Sequence, residues 1–278
     1  MKDLSGRTAV VTGAASGIGL ALATRFAAEG MNVVMSDIEQ GRLDEAAKTI
    51  AAKPGQLLAV PTDVGKVESV QALAAAALDA FGKVHVLCAN AGVASYGSVW
   101  EQSLDDWKWT IDVNLWGVIH CLRAFIPGML AHGEEGHLVT TSSAAGLMTS
   151  TSSAYGATKY AVLGISEGLA IELAETPIGV TVLCPGGVRT KIFESERNRP
   201  QDLRERGVFS EKVAQWVTAL KDPNRTDQVP PSYMAELVVQ AIRLRQLYIM
   251  PTQLAHRKPI RERLQRMLAA LDSAATSG

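Results

Sequence analysis

TAVVTGAASGIG, residues 8–19, runs from a short strand-like segment through a glycine-rich turn into the start of a helical pattern. A strand that empties into such a turn, with a helix beginning on its far side, is the phosphate-binding corner of a dinucleotide-binding unit. Gly13 takes the sharp turn out of the strand. Gly17 lets backbone N–H groups approach a phosphate, with Ser16 and Ile18 on either side, and Gly19 lets the helix lie close on the sheet. The positive end of that helix then faces a pyrophosphate. Glycine turns also serve plain chain reversal, so a second residue has to support the reading. Asp37 does so: it closes the next apolar run, NVVMS at 32–36, where a carboxylate accepts hydrogen bonds from the adenosine ribose. A 2′-phosphate beside that carboxylate is repelled by on the order of a few kcal/mol at an effective dielectric of about 20. NAD is therefore expected over NADP, with Arg42 the one cation able to swing toward a phosphate. An N-cap of the following helix is the plainer role for Asp37.

Outward from this corner, short β-branched runs recur at 8–12, 32–36, 57–60, 84–88, 137–141, 180–184 and 247–250. Helical spacing fills the intervals, as in Leu20, Ala23, Phe26 and Ala27, and again in Val67, Val70, Leu73 and Leu78. Continuous apolar runs alternating with helices predict an α/β fold, a doubly wound seven-stranded parallel sheet with helices on both faces. No linker interrupts the rhythm, so residues 1–278 form a single domain. Two regions depart from it: 189–230, charged and proline-punctuated, reads as a substrate lid, and 253–278 reads as a helical tail with frayed last residues.

Composition narrows the function. The chain has 278 residues, 47% hydrophobic, and a formal net charge of −1, enough to bury a large core and without the basic footprint of a nucleic-acid binder. The basic stretch HRKPIRERLQR, 256–266, is a solvated face or a subunit contact. Cys88, Cys121 and Cys184 are odd in number and set in apolar surroundings, which indicates reduced thiols. The five histidines show no metal-ligand spacing, and no G-x-S-x-G elbow occurs, so neither metal nor serine-hydrolase chemistry is expected. With no signal-like start and no apolar run approaching about 18 residues, a cytoplasmic protein without a membrane partner is expected.

The stretch SSAYGATKYAV, 152–162, adds the chemistry. Four helical residues advance about 400°, so Tyr155 and Lys159 project along nearly one line. A phenol titrates near 10, and work as a base close to neutrality needs it lowered by about 3 to 4 kcal/mol. An ammonium at roughly 4 to 5 Å in a shielded site supplies that much. The pair then suits proton transfer to or from an alcohol while hydride moves to a nicotinamide cofactor. A core-edge tyrosine beside a surface lysine has the same spacing. Ser142, thirteen residues before Tyr155, can hydrogen-bond the reacting oxygen; the run TTSSAAG leaves the choice of serine open, with Ser143 placed as a turn or helix-start residue.

TGAASGIG (12–19), TDV (62–64), NAG (90–92), the asparagine of DVNLWG (112–117), the serine before YGATK (155–159) and PGGVRT (185–190) together resemble the short-chain dehydrogenase/reductase family from about residue 5 to 250. The resemblance implies a seven-stranded Rossmann fold and a catalytic set of Asn114, Ser142, Tyr155 and Lys159. Within that set, Tyr155 is the acid/base, Lys159 also binds the nicotinamide ribose, and Asn114 holds a water of the proton relay. It further implies that Asp63 and Val64 flank the adenine and that Asn90, with Ala91 and Gly92, lines the cofactor cleft. Pro185 and Gly186 belong to the same cleft, where Val188 and Thr190 contact the carboxamide. Family members form homotetramers, and Trp109, Leu115, Trp116 and Leu122 present more apolar faces than one sheet contact buries, so a homotetramer or homodimer is expected. Candidate pocket residues Val93, Tyr96, Leu147, Met148, Gly187, Ile192 and Phe193 are mostly apolar. They point to a neutral, fairly hydrophobic secondary alcohol or ketone, such as an aryl, terpenoid or steroid-like compound. The alternatives are an acidic substrate reached by Lys191 and Arg197 with NADPH as reductant, and a catalytically silent nucleotide sensor.

Overall fold

The computed structural model describes residues 1–50, 57–148, 153–207, 210–220, 222, 225–250 and 253–275. Lid positions 208, 209, 221, 223 and 224, tail positions 276–278 and Ser152 lie outside the described residues. Seven strands form one sheet: β1 (Thr8–Thr12), β2 (Asn32–Asp37), β3 (Leu57–Pro61), β4 (Val86–Ala89), β5 (Gly136–Thr141), β6 (Ile178–Leu183) and β7 (Tyr248–Ile249). Their order is β3-β2-β1-β4-β5-β6-β7, and each neighbouring pair is parallel. The order reverses between β1 and β4, so the connections leave the sheet on opposite faces and open a crevice at the carboxyl ends of these two strands.

The alternation of side chains along each strand divides the core in two. Ala9, Val11, Val33 and Met35 join Leu22, Phe26, Leu43 and Val238 on the face covered by α1 (Gly17–Ala28), α2 (Gln40–Ile50) and α8 (Pro231–Leu244). Val10, Val34, Leu87 and Leu138 join Val70, Leu73, Phe125 and Val162 on the other, under α3 (Val67–Phe81), α5 (Gly117–Ala131) and α6 (Ser153–Glu172). A strand apolar on both faces fits only between two helical layers, which is why the runs read from the sequence contain so little polar alternation.

α4 (Leu104–Ile111) starts on a reciprocal cap: the Ser103 hydroxyl accepts from the Asp106 N–H and the Asp106 carboxylate accepts from the Ser103 N–H, each at 3.0 Å. It passes into α5 through one π turn, Asp112–Trp116, which contains Asn114. The continuous helical run Leu104–Ala131, 28 residues, contains an 18-residue stretch of mean hydropathy 1.3, long and apolar enough by length and composition to cross a membrane. This corrects the expectation that no run approaches that length. Here Trp109, Asn114, Cys121, Phe125 and Met129 are buried inside the protein, the setting of a core helix. Of the four apolar residues expected to spread over an oligomer face, Trp109 and Leu122 are in the core, and Trp116 remains exposed, stacked on His120.

The region expected as a lid contains a 3-10 segment, Ile192–Asn198, and α7 (Glu211–Leu220), and an isolated parallel bridge between Val188 and Val229 joins its two ends. The tail is helical as expected: α9 (Leu254–Ala275) packs Ile260 beside Leu147, Val182 and Cys184 and sets Arg263 over the Tyr160 ring.

Candidate active site

The crevice at the switch point is a cleft of about 360 Å³. At one end lies the glycine turn. Gly13 has φ +69°, and a methyl group there would meet the Ala91 Cα at 2.9 Å; Gly17 has φ +55°, and a methyl group there would touch Thr190 at 3.0 Å. Both glycines are thus required by close approach as well as by the left-handed backbone. Gly19, expected to let the helix lie close on the sheet and to belong to the cofactor site, does not line the cleft: a methyl group on it would sit 2.0 Å from the Gly13 carbonyl oxygen, so it packs helix against turn. Ser16 is the extended N-cap residue of α1.

Asp37 stands at the end of β2 with Oδ2 accepting from the Ala15 N–H at 3.0 Å and Oδ1 from the Glu39 N–H at 3.1 Å. Burial pushes its carboxyl up and these hydrogen bonds pull it back, leaving it above the ordinary value. Asp63 accepts from the Gly65 N–H, and Asp63, Val64 and Ile18 line the same end. A glycine cradle beside a carboxylate poised for ribose hydroxyls fits a nicotinamide dinucleotide. Asn90 ties three strands together: its backbone N–H and that of Ala91 donate to Thr12 Oγ1, its side-chain Nδ2 donates to the Thr12 carbonyl, and its side-chain Oδ1 accepts from the Thr141 hydroxyl. The hydroxyls of Thr12 and Thr141 do this work with no motif to announce them.

The other end is built on α6. Lys159 is buried and donates to the Thr141 carbonyl at 2.9 Å, with its Nζ 5.5 Å from the centroid of the Tyr155 ring. The two side chains therefore share a face, as their spacing predicts. The Tyr155 side chain is hydrogen-bonded to Ser143, not Ser142. Ser142 is buried and donates to the Lys159 carbonyl at 2.7 Å, fixing the backbone of α6. The two adjacent hydroxyls therefore meet different groups, because successive side chains leaving β5 point in opposite directions. One correction concerns charge. Burial pushes the Tyr155 phenol up while the Ser143 hydrogen bond lowers it, with a net rise, and burial pulls Lys159 down to about 8. Nζ lies over the ring and is bonded to a carbonyl, so the lysine alone does not lower the phenol's pKa below its ordinary value.

Asn114 bonds the backbone beside the cleft. It is fully buried and outside the cleft lining, with Oδ1 accepting from the Val93 N–H at 2.8 Å and Nδ2 donating to the Val93 carbonyl at 2.9 Å and to Thr158 at 3.3 Å. The π turn aims it at the chain that follows Gly92, where it clamps the cleft wall.

Between these ends, Pro185, Gly186, Val188 and Thr190 line the cleft together with Ala91 and Gly92. Of the expected pocket residues, Val93, Tyr96, Met148, Gly187, Ile192 and Phe193 line it, whereas Leu147 turns into the core beside Cys184. Arg197, expected to reach substrate, is bonded to Glu39 across the cleft at 2.7 Å. Sequence reasoning missed Glu39, Arg225 and His256 as lining residues; each comes from a loop or from the tail, with no motif around it. Among the described residues no group of three His, Cys, Asp or Glu side chains could hold a metal ion.

Comparison with known proteins agrees with this geometry. The family model described as short chain dehydrogenase matches residues 7–201. A 1-deoxy-11-beta-hydroxypentalenate dehydrogenase from Streptomyces exfoliatus is 41% identical over 194 residues, 69% of this chain and 70% of the relative. The oxidoreductase UcpA of Escherichia coli K12 is 36% identical over 206 residues, 73% of this chain and 78% of the relative. A short-chain dehydrogenase/reductase from Burkholderia phymatum, solved in complex with NAD, superposes with a TM-score of 0.92 at 37% identity, covering 97% of both chains. With cradle, carboxylate and tyrosine-lysine helix in one cleft and a family match over most of its length, this chain belongs to the short-chain dehydrogenase/reductase family and is an oxidoreductase.

Proposed function

We propose that the protein interconverts a fairly hydrophobic secondary alcohol and its ketone, with NAD(H) as cofactor. The observation that carries this reading is Tyr155, hydrogen-bonded to Ser143 and covered by Lys159, in the cleft whose other end holds Asp37 and the glycine turn. The chemistry a nicotinamide would supply in this cleft is hydride transfer to or from the substrate carbon. Asp37, the backbone of the glycine turn, Asn90 and Thr190 hold the cofactor. Ser143 fixes the substrate oxygen against the Tyr155 hydroxyl, and Tyr155 takes the alcohol proton or returns it to the ketone. Lys159 holds the nicotinamide ribose and favours the tyrosinate electrostatically, adding to the Ser143 hydrogen bond. Asn114 holds the Val93 backbone, and Gly92 packs between it and the lysine: a methyl group on Gly92 would lie 3.3 Å from Asn114 Oδ1 and 3.5 Å from Lys159 Nζ.

The apolar walls Val93, Tyr96, Met148, Ile192 and Phe193 support a neutral ring system of aryl, terpenoid or steroid-like size, and a relative named for a hydroxypentalenate supports an alcohol of terpenoid type. A second reading, a hydrophobic carboxylic acid, draws on Lys191 and Arg225, which also line the cleft. A panel of neutral and carboxylated cyclic alcohols and ketones, followed by nicotinamide absorbance, separates the two; faster turnover of the carboxylated members favours the second. The same family membership and the exposed Trp116 support a homo-oligomer in the cytoplasm, which light scattering on the purified protein tests for oligomeric state.

The serine assignment gives a sharper result. Ser143→Ala is expected to lower kcat by about 10²-fold, the typical loss when one donor to the reacting oxygen is removed. Ser142→Ala is expected to cost about 1 kcal/mol of stability through the Lys159 carbonyl and to leave kcat within about tenfold. Steady-state kinetics beside thermal unfolding measures both, and the reverse ranking overturns the assignment.

A further inference from the structure

Glu39 stands two residues beyond Asp37, lines the cleft, and is surrounded by donors from two separate segments. From the lid, Arg197 donates through Nε at 2.9 Å and lies with Nη2 at 2.7 Å, and Asn198 donates at 3.2 Å, all to Oε1. From α2, Arg42 Nε lies 3.1 Å from Oε2. Arg42 Nη1 is buried and has no acceptor among the described residues. Two guanidinium groups therefore converge on the loop that follows the ribose-facing carboxylate, and one acidic side chain occupies both. Because the Asp37 carboxylate is pinned by the Ala15 and Glu39 N–H groups, a ribose held by Asp37 lies against this same loop, and a phosphate on its 2′-oxygen would fall among residues 38–42.

We propose that Glu39 is a second determinant of cofactor choice: it fills and neutralises a two-arginine site, formed by Arg42 and Arg197, that would otherwise accept the 2′-phosphate of NADP(H). This rests on the nicotinamide reading of the cleft and goes beyond it, since Asp37 alone would leave both arginines free to greet the phosphate. Arg suits the task because its planar donors match phosphate oxygens in pairs. An incoming 2′-phosphate has to displace the Glu39 carboxylate from Arg197 and Arg42 while facing the charges of both Asp37 and Glu39, whereas the ribose hydroxyls of NAD(H) need no displacement.

The test is binding, read apart from turnover. Full-length wild type and Glu39→Gln are titrated with NADH and with NADPH, following nicotinamide fluorescence. Wild type is expected to bind NADPH at least a hundredfold more weakly than NADH. Glu39→Gln, which keeps the shape of the side chain and loses its charge, is expected to tighten NADPH by tenfold or more while NADH shifts by less than threefold. Adding Arg197→Met or Arg42→Met to Glu39→Gln is expected to remove most of that gain, since the arginines hold the phosphate. Binding of NADH with no gain for NADPH in Glu39→Gln, or a gain that survives loss of both arginines, overturns the inference alone. A wild type that binds neither nucleotide overturns the nicotinamide reading and the inference with it.

Discussion

Replacing Lys159 with methionine is expected to lower kcat by about 10³-fold and, at pH 7, to raise the melting temperature. The two effects have one source. Lys159 is 2% exposed, its Nζ has the Thr141 carbonyl as acceptor, and burial pulls its pKa down to about 8. Between about pH 8 and the unfolded value near 10.4, the unfolded chain binds more protons than the folded one, so stability rises with pH across that window. Below about pH 8 the charged ammonium is carried into the core at a cost of about 3 kcal/mol. Methionine removes that cost but leaves the Thr141 carbonyl without its donor, a loss of about 1 to 2 kcal/mol. The net gain near pH 7 is about 1 to 2 kcal/mol, or roughly 2 to 6 °C in a domain of this size. By pH 10 wild type has recovered most of its deficit and the order of the two proteins should reverse. Thermal unfolding at pH 7 and pH 10 reads this directly; a difference that does not change with pH would show that the lysine carries no burial cost. Retained alcohol oxidation in the variant would remove Lys159 from the chemistry.

What the sequence revealed and what it hid follow from the range of the interactions. The glycine turn, Asp37 and the tyrosine-lysine pair are set by local geometry: a strand end, a turn, one helical repeat. Each therefore leaves a pattern at fixed spacing, and the seven strands were legible because parallel strands buried on both faces are apolar throughout. The choice between Ser142 and Ser143 was not legible, since adjacent hydroxyls differ only in which way the chain turns after β5. Asn114 was placed in the site by resemblance, yet its grip on Val93 depends on a π turn that no residue in DVNLWG signals. The burial that pushes the Tyr155 phenol up was not legible, because spacing gives proximity and says nothing of burial. Glu39 with Arg197, 158 positions apart, and Asp106 with Arg199 are long-range ion pairs, and a single sequence holds no trace of them.

That last pair should carry the largest stability effect in the molecule. Asp106 is 2% exposed and meets Arg199 through Oδ1, while its Oδ2 accepts from the Ser103 N–H that caps α4 and from the Gly207 N–H at 3.0 Å. Arg199 in turn donates to Glu196, has a side chain only 4% exposed, and stacks 4.4 Å from the Trp109 ring, which packs on Val93 and Leu203. One carboxylate thus holds the lid segment 196–207 onto the helix that leads to Asn114. Asp106→Ala removes one of the two carboxylates on the Arg199 guanidinium, which Glu196 still pairs, at about 1.5 to 3 kcal/mol, and removes a helix cap, at about 1 kcal/mol. Arg199→Met strands the carboxylate, though Ser103 and Gly207 still bond it, so its cost should be the smaller. Asp106→Leu combined with Arg199→Met puts apolar volume where both charges were and should be destabilised by less than the sum of its two single variants, a coupling of about 1 to 3 kcal/mol. Urea midpoints for the three proteins and wild type give that coupling. Because Trp109 lines the cleft beside Val93, KM for the alcohol should rise in Asp106→Ala before kcat falls. Strict additivity of the two substitutions would mean that the pair is a contact without energetic consequence, and the lid would then owe its position to Trp109 and Leu203 alone.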